Sequence, residues 1–308
     1  MINQRFSLDK FIDREVEQEL FFNVLLKFED KRLLTIRDAG GRGKSSLLKQ
    51  LEYKCRWQLD PPTLAHLAPL DQVHEFGPFD LIENIKDEIT GMADRFDVEL
   101  RFGRFENLDE ARTARNFVPF RDRISPTHIG GGSAGPISKY LQADAADSPE
   151  SWNVKKEDIA RRECVKMFFE DLKEICDTQP VVVLLDSWER SNPELQEWIV
   201  NRIVRPLCFD TASRPTKFGL VLAGRELPDF RQLLGGEERY NRLVESIESL
   251  GQWEEDHVRA FLQAYGHEEV SAEGDLVRFI HSKLRSGLSL DGALQLAEAV
   301  RPFSGRVG

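Results

Sequence analysis

The sequence predicts an α/β protein in which a parallel sheet is followed by a small helical domain. The run at 181–185 consists only of valine and leucine, which is typical of a central strand covered on both faces. Strand and helix patterns alternate up to about residue 250, and this alternation indicates a parallel sheet. From about residue 254 the apolar spacing is helical throughout. A glycine-rich turn, residues 38–43, joins the first strand to a helix.

Apolar spacing, capping residues and breakers define the elements of the first half. Pro61-Pro62 interrupts the chain between the second predicted helix and the second strand. The predicted elements in order are a helix at about 15–25, a strand at 32–37, a helix at 44–56, a weak strand at 63–70 and a helix at 79–92.

The second half begins with an irregular insertion at about 93–153. Its glycine run, 130–136, suggests either a surface loop or a second phosphate cradle, and the absence of a strand before it favours the loop. Ser191, with Glu194 three residues later and Pro193 between them, has the pattern of a helix start. The remaining elements are predicted as a helix at 155–177, a strand at 181–185, a helix ending near 204, a strand at 218–223 and a short strand at 243–250.

The helical C-terminal part carries apolar residues at helical spacing. One predicted stripe contains Leu276, Phe279, Ile280 and Leu284. We therefore expect two domains, an α/β domain at 1–250 and a helical lid domain at 251–308.

Composition places the chain among ordinary globular proteins. Of its 308 residues, 41% are apolar and 31% are charged. Its apolar runs are too short to cross a bilayer, and residues 1–6 lack the apolar segment of a signal peptide. We expect a cytoplasmic protein without a membrane anchor.

Two further features concern redox state and partners. The four cysteines form no C-x-x-C pair, so reduced thiols are favoured over a disulfide or a zinc site. The net charge of −11 argues against a protein that coats nucleic acid, because phosphate backbones are bound by basic surfaces.

The turn after the first strand has the composition of a phosphate-binding loop. Glycines let backbone N–H groups turn toward an anion, and the following helix presents its positive N-terminal end. In the pattern G-x-x-x-x-G-K-[ST] the lysine reaches the β- and γ-phosphates and the hydroxyl ligates Mg²⁺. Lys44 and Ser45 take those positions, whereas Asp38 stands where the first glycine is expected. A glycine-rich turn with an incidental lysine is the alternative. The predicted phosphate-binding residues are Gly40, Gly41, Arg42, Gly43, Lys44, Ser45 and Ser46.

Acidic residues close the buried strand at 181–185. Ligands bind at the carboxyl edge of a parallel sheet, so Asp186 is predicted to hold Mg²⁺ together with Ser45. Glu189 is expected to orient or deprotonate an attacking water. The alternative is that both carboxylates only begin the next connection and cap a helix.

Arg225 follows the strand at 218–223 and is therefore expected at the same edge. Its guanidinium is predicted to stabilise charge on a γ-phosphate. The alternative is a surface arginine that pairs with Glu226 or Asp229.

Together these segments resemble the nucleotide-binding domain of STAND-class P-loop ATPases, relatives of the AAA+, NACHT and NB-ARC proteins. The matching segments, in chain order, are Phe11-Ile12-Asp13-Arg14-Glu15, Gly40-Gly41-Arg42-Gly43-Lys44-Ser45, Asp186-Ser187-Trp188-Glu189 and Ala223-Gly224-Arg225. They are similar to the family's N-terminal motif, Walker A, Walker B and sensor strand. The resemblance implies an ASCE-like P-loop sheet with a helical lid, ATP or ADP with Mg²⁺, and Phe11, Ile12 and Arg14 beside the adenine.

The resemblance also bears on the lid and on partners. Ser286-Gly287-Leu288-Ser289 lies where the family has Gly-x-Pro, with Ser289 in place of the proline that contacts adenine. The family usually adds an effector domain and a repeat-built sensor, and neither is recognisable in these 308 residues. We expect missing C-terminal domains or separate effector and sensor proteins, together with nucleotide-dependent oligomers.

Two functions are compatible with these features. The first is a Mg-ATP-dependent switch ATPase of a signalling or regulatory assembly, with slow turnover and Lys44, Asp186, Glu189 and Arg225 as catalytic residues. The second is a non-catalytic nucleotide-binding scaffold, because the Asp38 carboxylate is expected to repel phosphate. Contacts visible in the sequence do not by themselves distinguish ATP from GTP.

Overall fold

The computed structural model describes residues 14–71, 77–107, 149–209, 214–251, 253–286, 288 and 290–304. Within these residues five strands form one parallel sheet. The strands are β1 (Leu33–Arg37), β2 (Leu64–Pro69), β3 (Val181–Asp186), β4 (Phe218–Gly224) and β5 (Val244–Ile247). Their order across the sheet is β2-β3-β4-β1-β5. Strand β4 thus lies between β1 and β3, which is the arrangement of the ASCE class of P-loop NTPases predicted from the sequence.

The described part of the chain contains the predicted helices, together with a short helix before β4 and two helices between β4 and β5 that were not predicted. Before β4 the numbered helices are α1 (Glu15–Asn23), α2 (Lys44–Trp57), α3 (Pro78–Arg95), α4 (Pro149–Thr178), α5 (Pro193–Ile199) and α6 (Arg205–Phe209). A π-helical turn, Val200–Val204, lies between α5 and α6. Then follow α7 (Phe230–Leu233), α8 (Glu237–Leu243), α9 (Glu255–Ala264), α10 (Glu268–Ala272), α11 (Gly274–Arg285) and α12 (Leu290–Ser304).

The sheet core joins the central strands to one face of α2. Every residue of β3 and β4 is buried, as expected for strands covered on both sides. The apolar stripe Leu47, Leu48 and Leu51 packs on this sheet and is fully buried. Burying one such leucine contributes about 1.5–3 kcal/mol, so this stripe holds the start of α2 against the carboxyl edge of the sheet.

The C-terminal helices have a separate apolar cluster. It includes Val258, Phe261 and Leu262 of α9, Val277 and Ile280 of α11, and Ala293, Leu294 and Ala297 of α12. The predicted stripe is wrong at Phe279, which is 45% exposed. The buried face of α11 runs through Val277 and Ile280 at a spacing of three, and Phe279 lies on the opposite side of the helix.

The start of α5 differs from the predicted capping pattern. The N-cap is Asn192, whose side-chain oxygen accepts a hydrogen bond from the Leu195 amide at 2.7 Å. Ser191 instead donates its hydroxyl proton to the Trp188 carbonyl at 2.7 Å. Pro193 occupies the first helical position, so only the residue directly before it has the cap geometry.

The predicted insertion is helical at both of its described ends. Helix α3 continues to Arg95, and α4 begins at Pro149, six residues before the predicted start. The glycine run at 130–136 lies outside the described residues. The described residues within 100–174 group into one unit, and the other described residues group into a second, which contains the sheet and the C-terminal helices. The division into domains 1–250 and 251–308 stays a prediction.

The described residues of the unit at 100–174 include a small cluster of aromatic rings. The rings of Phe102 and Phe168 stack with centroids 5.3 Å apart, and Phe105 packs edge-on against Phe168. The buried carboxylate of Asp171 accepts hydrogen bonds from the amides of Arg104 and Phe105 at 2.9 and 3.0 Å. It therefore satisfies the free N–H groups of the helical turn at 103–107.

None of the helices in the described ranges combines the length and the apolar character needed to cross a bilayer.

The cap of α5 gives a direct test of the local fold. We expect Asn192→Ala to lower the free energy of unfolding by about 1 kcal/mol, because the Leu195 amide loses its acceptor. Asn201→Ala, at an exposed position of the π-helical turn, is the matched control and should change stability by less than about 0.5 kcal/mol. Urea unfolding followed by circular dichroism measures both, and equal effects of the two substitutions would contradict the assigned cap.

Candidate functional site

Several strand ends meet at one edge of the sheet. In β1 and β4, Arg37 pairs with Gly224, and in β2 and β3, Pro69 pairs with Asp186. The residues that follow these strands therefore reach the same carboxyl edge, where open parallel sheets bind ligands. A cavity of about 330 Å³ lies at this edge.

The cavity brings together the predicted site residues that fall in the described part of the chain. Those lining it are Arg14, Gly40, Gly41, Arg42, Gly43, Lys44, Ser45, Ser46, Asp186, Glu189 and Arg225. Phe11 and Ile12 lie outside the described residues. Whether these groups bind a nucleotide or act in catalysis stays a prediction.

The loop between β1 and α2 is shaped by two glycines. Gly41 and Gly43 have φ angles of 77° and 89°, a left-handed conformation that costs glycine little and other residues more. Gly43 is the N-cap of α2 and supplies no side-chain acceptor. The first turn of α2 therefore keeps its N–H groups for a ligand, and Lys44, Ser45 and Ser46 of that turn line the cavity.

Lys44 is the buried cation of this loop. It is only 8% exposed, and its ammonium donates hydrogen bonds to the carbonyls of Asp38 and Ala39 at 2.6 and 2.8 Å. The pKa of Lys44 is lowered, mainly by burial and also by the Arg225 guanidinium, and the carboxylates of Glu189, Asp38 and Asp186 oppose this effect. These three carboxylates therefore favour the charged form of the ammonium against its burial.

Asp186 is the buried carboxylate at the end of β3. It is 6% exposed, accepts a hydrogen bond from the Ser187 amide at 2.8 Å and is hydrogen-bonded by the Ser45 side chain. Burial raises the pKa of Asp186, and the hydrogen bond from Ser45 opposes that shift. A hydroxyl and a carboxylate from two different elements thus meet, and such oxygen donors suit Mg²⁺, which binds few protein groups and completes its shell with water and phosphate.

Glu189 and Arg225 form an ion pair beside the loop. One oxygen of the Glu189 carboxylate lies 3.3 Å from Arg225 Nε, and the other accepts a hydrogen bond from the Arg225 amide at 2.9 Å. The arginine pairs with this carboxylate rather than with Glu226 or Asp229. Its guanidinium lies over Gly40, since a Cβ atom on Gly40 would be 2.6 Å from Arg225 Nη2.

Asp38 does not line the cavity. Its carboxylate accepts hydrogen bonds from the Ala39 amide at 2.6 Å and from the Leu250 amide at 2.8 Å. It also accepts a longer hydrogen bond, 3.4 Å, from the Ser249 hydroxyl. The carboxylate expected to repel phosphate is therefore bound to the chain that follows β5.

Some lining residues were not predicted. Asp71 follows β2 and pairs with Arg190 at 2.9 Å, and its position after a predicted strand is a signal that could have found it. The C-terminal helices and the chain leading to them contribute Trp253, Leu284, Arg285 and Leu288. The indole of Trp253 packs edge-on against Phe261, and His281 Nε2 donates a hydrogen bond to the Trp253 carbonyl at 2.7 Å. Of these four lining residues, only Leu288 lies in a segment that the sequence matches to the family, Ser286-Gly287-Leu288-Ser289.

Sequence and structure comparisons differ in what they find. No protein-family model and no curated protein sequence matches the chain. Among solved structures, it is similar to a Walker-type ATPase of Pyrococcus abyssi, with 14% identity, a TM-score of 0.48 and coverage of 97% of this chain and 76% of the other. It is also similar to Cdc6p of Pyrobaculum aerophilum, with 12% identity, a TM-score of 0.46 and coverage of 94% and 62%.

A further similar structure is the ORC2 protein of Aeropyrum pernix. Its complexes with ADPNP and ADP show 11% identity, a TM-score of 0.41 and coverage of 93% of this chain and 60% of the other. This chain thus spans about three fifths of the length of the Cdc6p and ORC2 chains. The P-loop NTPase fold rests on the strand order and the glycine loop of the chain itself.

The burial of Asp186 leads to a stability prediction. Because its pKa is raised, the unfolded chain ionises first as pH rises, and the fold loses stability between the ordinary aspartate pKa and the raised one. We expect Asp186→Asn to raise the midpoint of thermal unfolding of the ligand-free protein at pH 7, and this gain to shrink as pH is lowered toward 4.

The matched control for Asp186→Asn is Asp71→Asn. Asp71 lies at the same sheet edge but is more exposed and already paired with Arg190. We expect it to lower the midpoint slightly or leave it unchanged. If Asp186→Asn destabilised the protein more than Asp71→Asn at pH 7, burial would not be the dominant influence on Asp186.

Proposed function

We propose that this protein binds Mg-ATP at the carboxyl edge of the sheet and hydrolyses it slowly, as a switch in a signalling or regulatory assembly. The observation that carries the proposal is the position of Lys44. This buried cation lies in the first turn of α2, behind two left-handed glycines, and faces the Asp186–Ser45 pair. The phosphates of a nucleoside triphosphate require a cation and free helix N–H groups, and the accompanying Mg²⁺ requires oxygen ligands.

The phosphates are proposed to bind the loop at Gly40–Lys44. Backbone N–H groups there and the start of α2 carry partial positive charge, and Lys44 adds a full one. Its ammonium exchanges two carbonyl partners for phosphate oxygens, which form stronger, charge-assisted hydrogen bonds. Phosphate oxygens are thus stronger partners for Lys44 than the two carbonyls.

Ser45 and Asp186 are proposed to hold Mg²⁺. The metal, when bound, would neutralise charge on the phosphates. The Ser45 hydroxyl would then no longer donate its hydrogen bond to Asp186. The Ser45 hydroxyl oxygen and an Asp186 carboxylate oxygen would both be available as ligands. Asp186 must be ionised for this role, so its raised pKa predicts that metal-dependent binding weakens on acidification at a higher pH than for an ordinary aspartate.

Glu189 and Arg225 are proposed to act on water and on the γ-phosphate. Glu189 orients or deprotonates the attacking water, and Arg225 stabilises the charge that develops on the phosphoryl group. Both side chains line the cavity and form an ion pair with each other. A γ-phosphate competes for the guanidinium and leaves Glu189 free to accept a proton.

The apolar part of the cavity lining is proposed to receive the nucleobase. Trp253, Leu284 and Leu288 supply apolar surface there, which suits the flat face of a base. Within the P-loop ATPases we propose the STAND class, on the order of the motifs along the chain and on Leu288, which lies within the lid segment of the resemblance. Arg14, Phe11 and Ile12 remain proposed adenine neighbours.

The Glu189–Arg225 ion pair also favours a second candidate function. If the pair persists when nucleotide binds, the site holds ATP or ADP without turnover and the protein serves as an interaction scaffold. For either function we propose effector or sensor partners, in further domains or in separate chains, and assembly that depends on the bound nucleotide.

The binding claim is tested with Lys44→Ala. Mg-ATP at about 100 times its Kd should stabilise the wild-type protein by roughly 2.7 kcal/mol, seen as a higher midpoint of thermal unfolding. Lys44→Ala should lose most of this stabilisation. Lys49→Ala, exposed on the same helix, is the matched control and should keep it. Equal stabilisation of all three proteins would exclude the loop as the phosphate site.

The turnover claim is tested with Glu189→Gln. The amide oxygen can still accept from the Arg225 amide, but the side chain no longer takes a proton. We expect phosphate release to fall by at least about 100-fold, while stabilisation by Mg-ATP remains. Glu194→Gln, an exposed position in the first turn of α5, should behave as wild type. A wild-type protein that is stabilised by Mg-ATP yet releases no phosphate would support the scaffold instead.

A further inference from the structure

The phosphate loop is joined to the segment through which the chain leaves the sheet. This segment, residues 249–251, is called the lid linker here, because it lies between β5 and the helices that follow. Asp38 holds it through the Leu250 amide and the Ser249 hydroxyl. The Leu250 side chain is 2% exposed and belongs to the sheet core. These contacts fix the position of Leu250, the middle residue of the lid linker.

A second connection lies at the other end of the loop. The guanidinium of Arg14 donates hydrogen bonds to the carbonyls of Arg42 and Gly251 at 3.4 and 3.5 Å. Gly251 has a φ of 68°, so the chain turns there in a conformation that favours glycine. Both ends of the loop are thus bound to the lid linker.

Asp38 contacts three functional elements at once. Its carboxylate binds the lid linker, its carbonyl accepts a hydrogen bond from Lys44, and its amide donates to the Gly224 carbonyl at 3.2 Å. Gly224 directly precedes Arg225. The glycine expected at position 38 has no side chain and could make only the two backbone contacts.

We propose that Asp38 is a positioning residue that couples nucleotide occupancy of the phosphate loop to the conformation of the lid linker. The proposal rests on the proposed nucleotide binding. When phosphates take the ammonium of Lys44, the carbonyls of Asp38 and Ala39 lose their donor. The peptide at Asp38 readjusts, and its carboxylate carries that change to Leu250.

The coupling between the phosphate loop and the lid linker is measured by the factor by which each changes the other's equilibrium. Coupled sites in proteins change one another's affinity by about 5-fold to 150-fold. Here the loop and the lid linker are joined by only a few hydrogen bonds, so an effect near the lower end, about fivefold, is expected. Conversely, the conformation of the lid linker should alter the affinity for nucleotide by the same factor.

The experiment compares wild type with Asp38→Gly, which restores the usual glycine of the motif, and Asp38→Asn, which keeps one side-chain oxygen as an acceptor. Amide hydrogen exchange is followed by mass spectrometry in peptides that contain Leu250 and in peptides from α9, with and without ADP. The Kd for ADP is measured in parallel. Asp229→Gly is the matched control, because Asp229 also accepts from two backbone amides but lies outside the cavity lining.

In wild type, ADP should slow exchange in α9 by about fivefold or more. In Asp38→Gly without nucleotide, Leu250 should exchange at least about tenfold faster, because a hydrogen bond to a charged group is lost. This variant should still bind ADP, but α9 should no longer respond. Asp38→Asn should recover part of the response, and Asp229→Gly should retain all of it.

Each contrary result has a distinct meaning. If Asp38→Gly binds ADP and α9 responds as in wild type, Asp38 does not couple the two sites. In that case the coupling role is overturned, while the proposed nucleotide binding stands. If Asp38→Gly binds ADP more tightly with unchanged exchange at Leu250, Asp38 repels phosphate and is not a positioning residue. If wild type itself binds no nucleotide, the proposed function falls and this inference falls with it.

Discussion

The structure depends on one buried charge, the ammonium of Lys44. A cation that is removed from water must be satisfied by nearby oxygen atoms, and the loop supplies two of its own carbonyls. Those carbonyls belong to Asp38 and Ala39, which directly follow β1. The register of β1 with β4 and of β3 with β4 brings negative groups to the same edge. The fold thus builds a site in which Lys44 can be charged although it is buried.

The other charged groups around Lys44 are also paired with protein atoms. Asp186 has Ser45 and the Ser187 amide, and Glu189 has Arg225. Under the proposed function, a ligand that brings three phosphates would exchange partners with several of these groups at once. Such an exchange would provide the physical basis of the proposed switch, because each new contact to phosphate would replace a contact within the fold. Whether hydrolysis follows depends on how readily Arg225 leaves Glu189.

The sequence predicted what local patterns determine. The strand at 181–185, the glycine loop and the carboxyl edge are visible because apolar runs and glycine spacing act over a few residues. The contact of Asp38 with Leu250 joins positions 212 apart, so the carboxylate was expected to face phosphate. The Glu189–Arg225 pair depends likewise on strand order. Phe279 was misplaced because its spacing of three from Leu276 suggested that both face the core, whereas the buried face runs through Val277 and Ile280.

The most direct measurement is a crystal structure of the protein with Mg²⁺ and a non-hydrolysable ATP analogue. The account predicts phosphates against the amides of Gly40–Lys44, the Lys44 ammonium moved from the carbonyls of Asp38 and Ala39 to a phosphate oxygen, and the metal between Ser45 and Asp186. It also predicts Arg225 turned toward the γ-phosphate. An analogue bound elsewhere, or bound at the loop with Lys44 still on both carbonyls, would contradict the central claim that this buried ammonium is the phosphate-binding group.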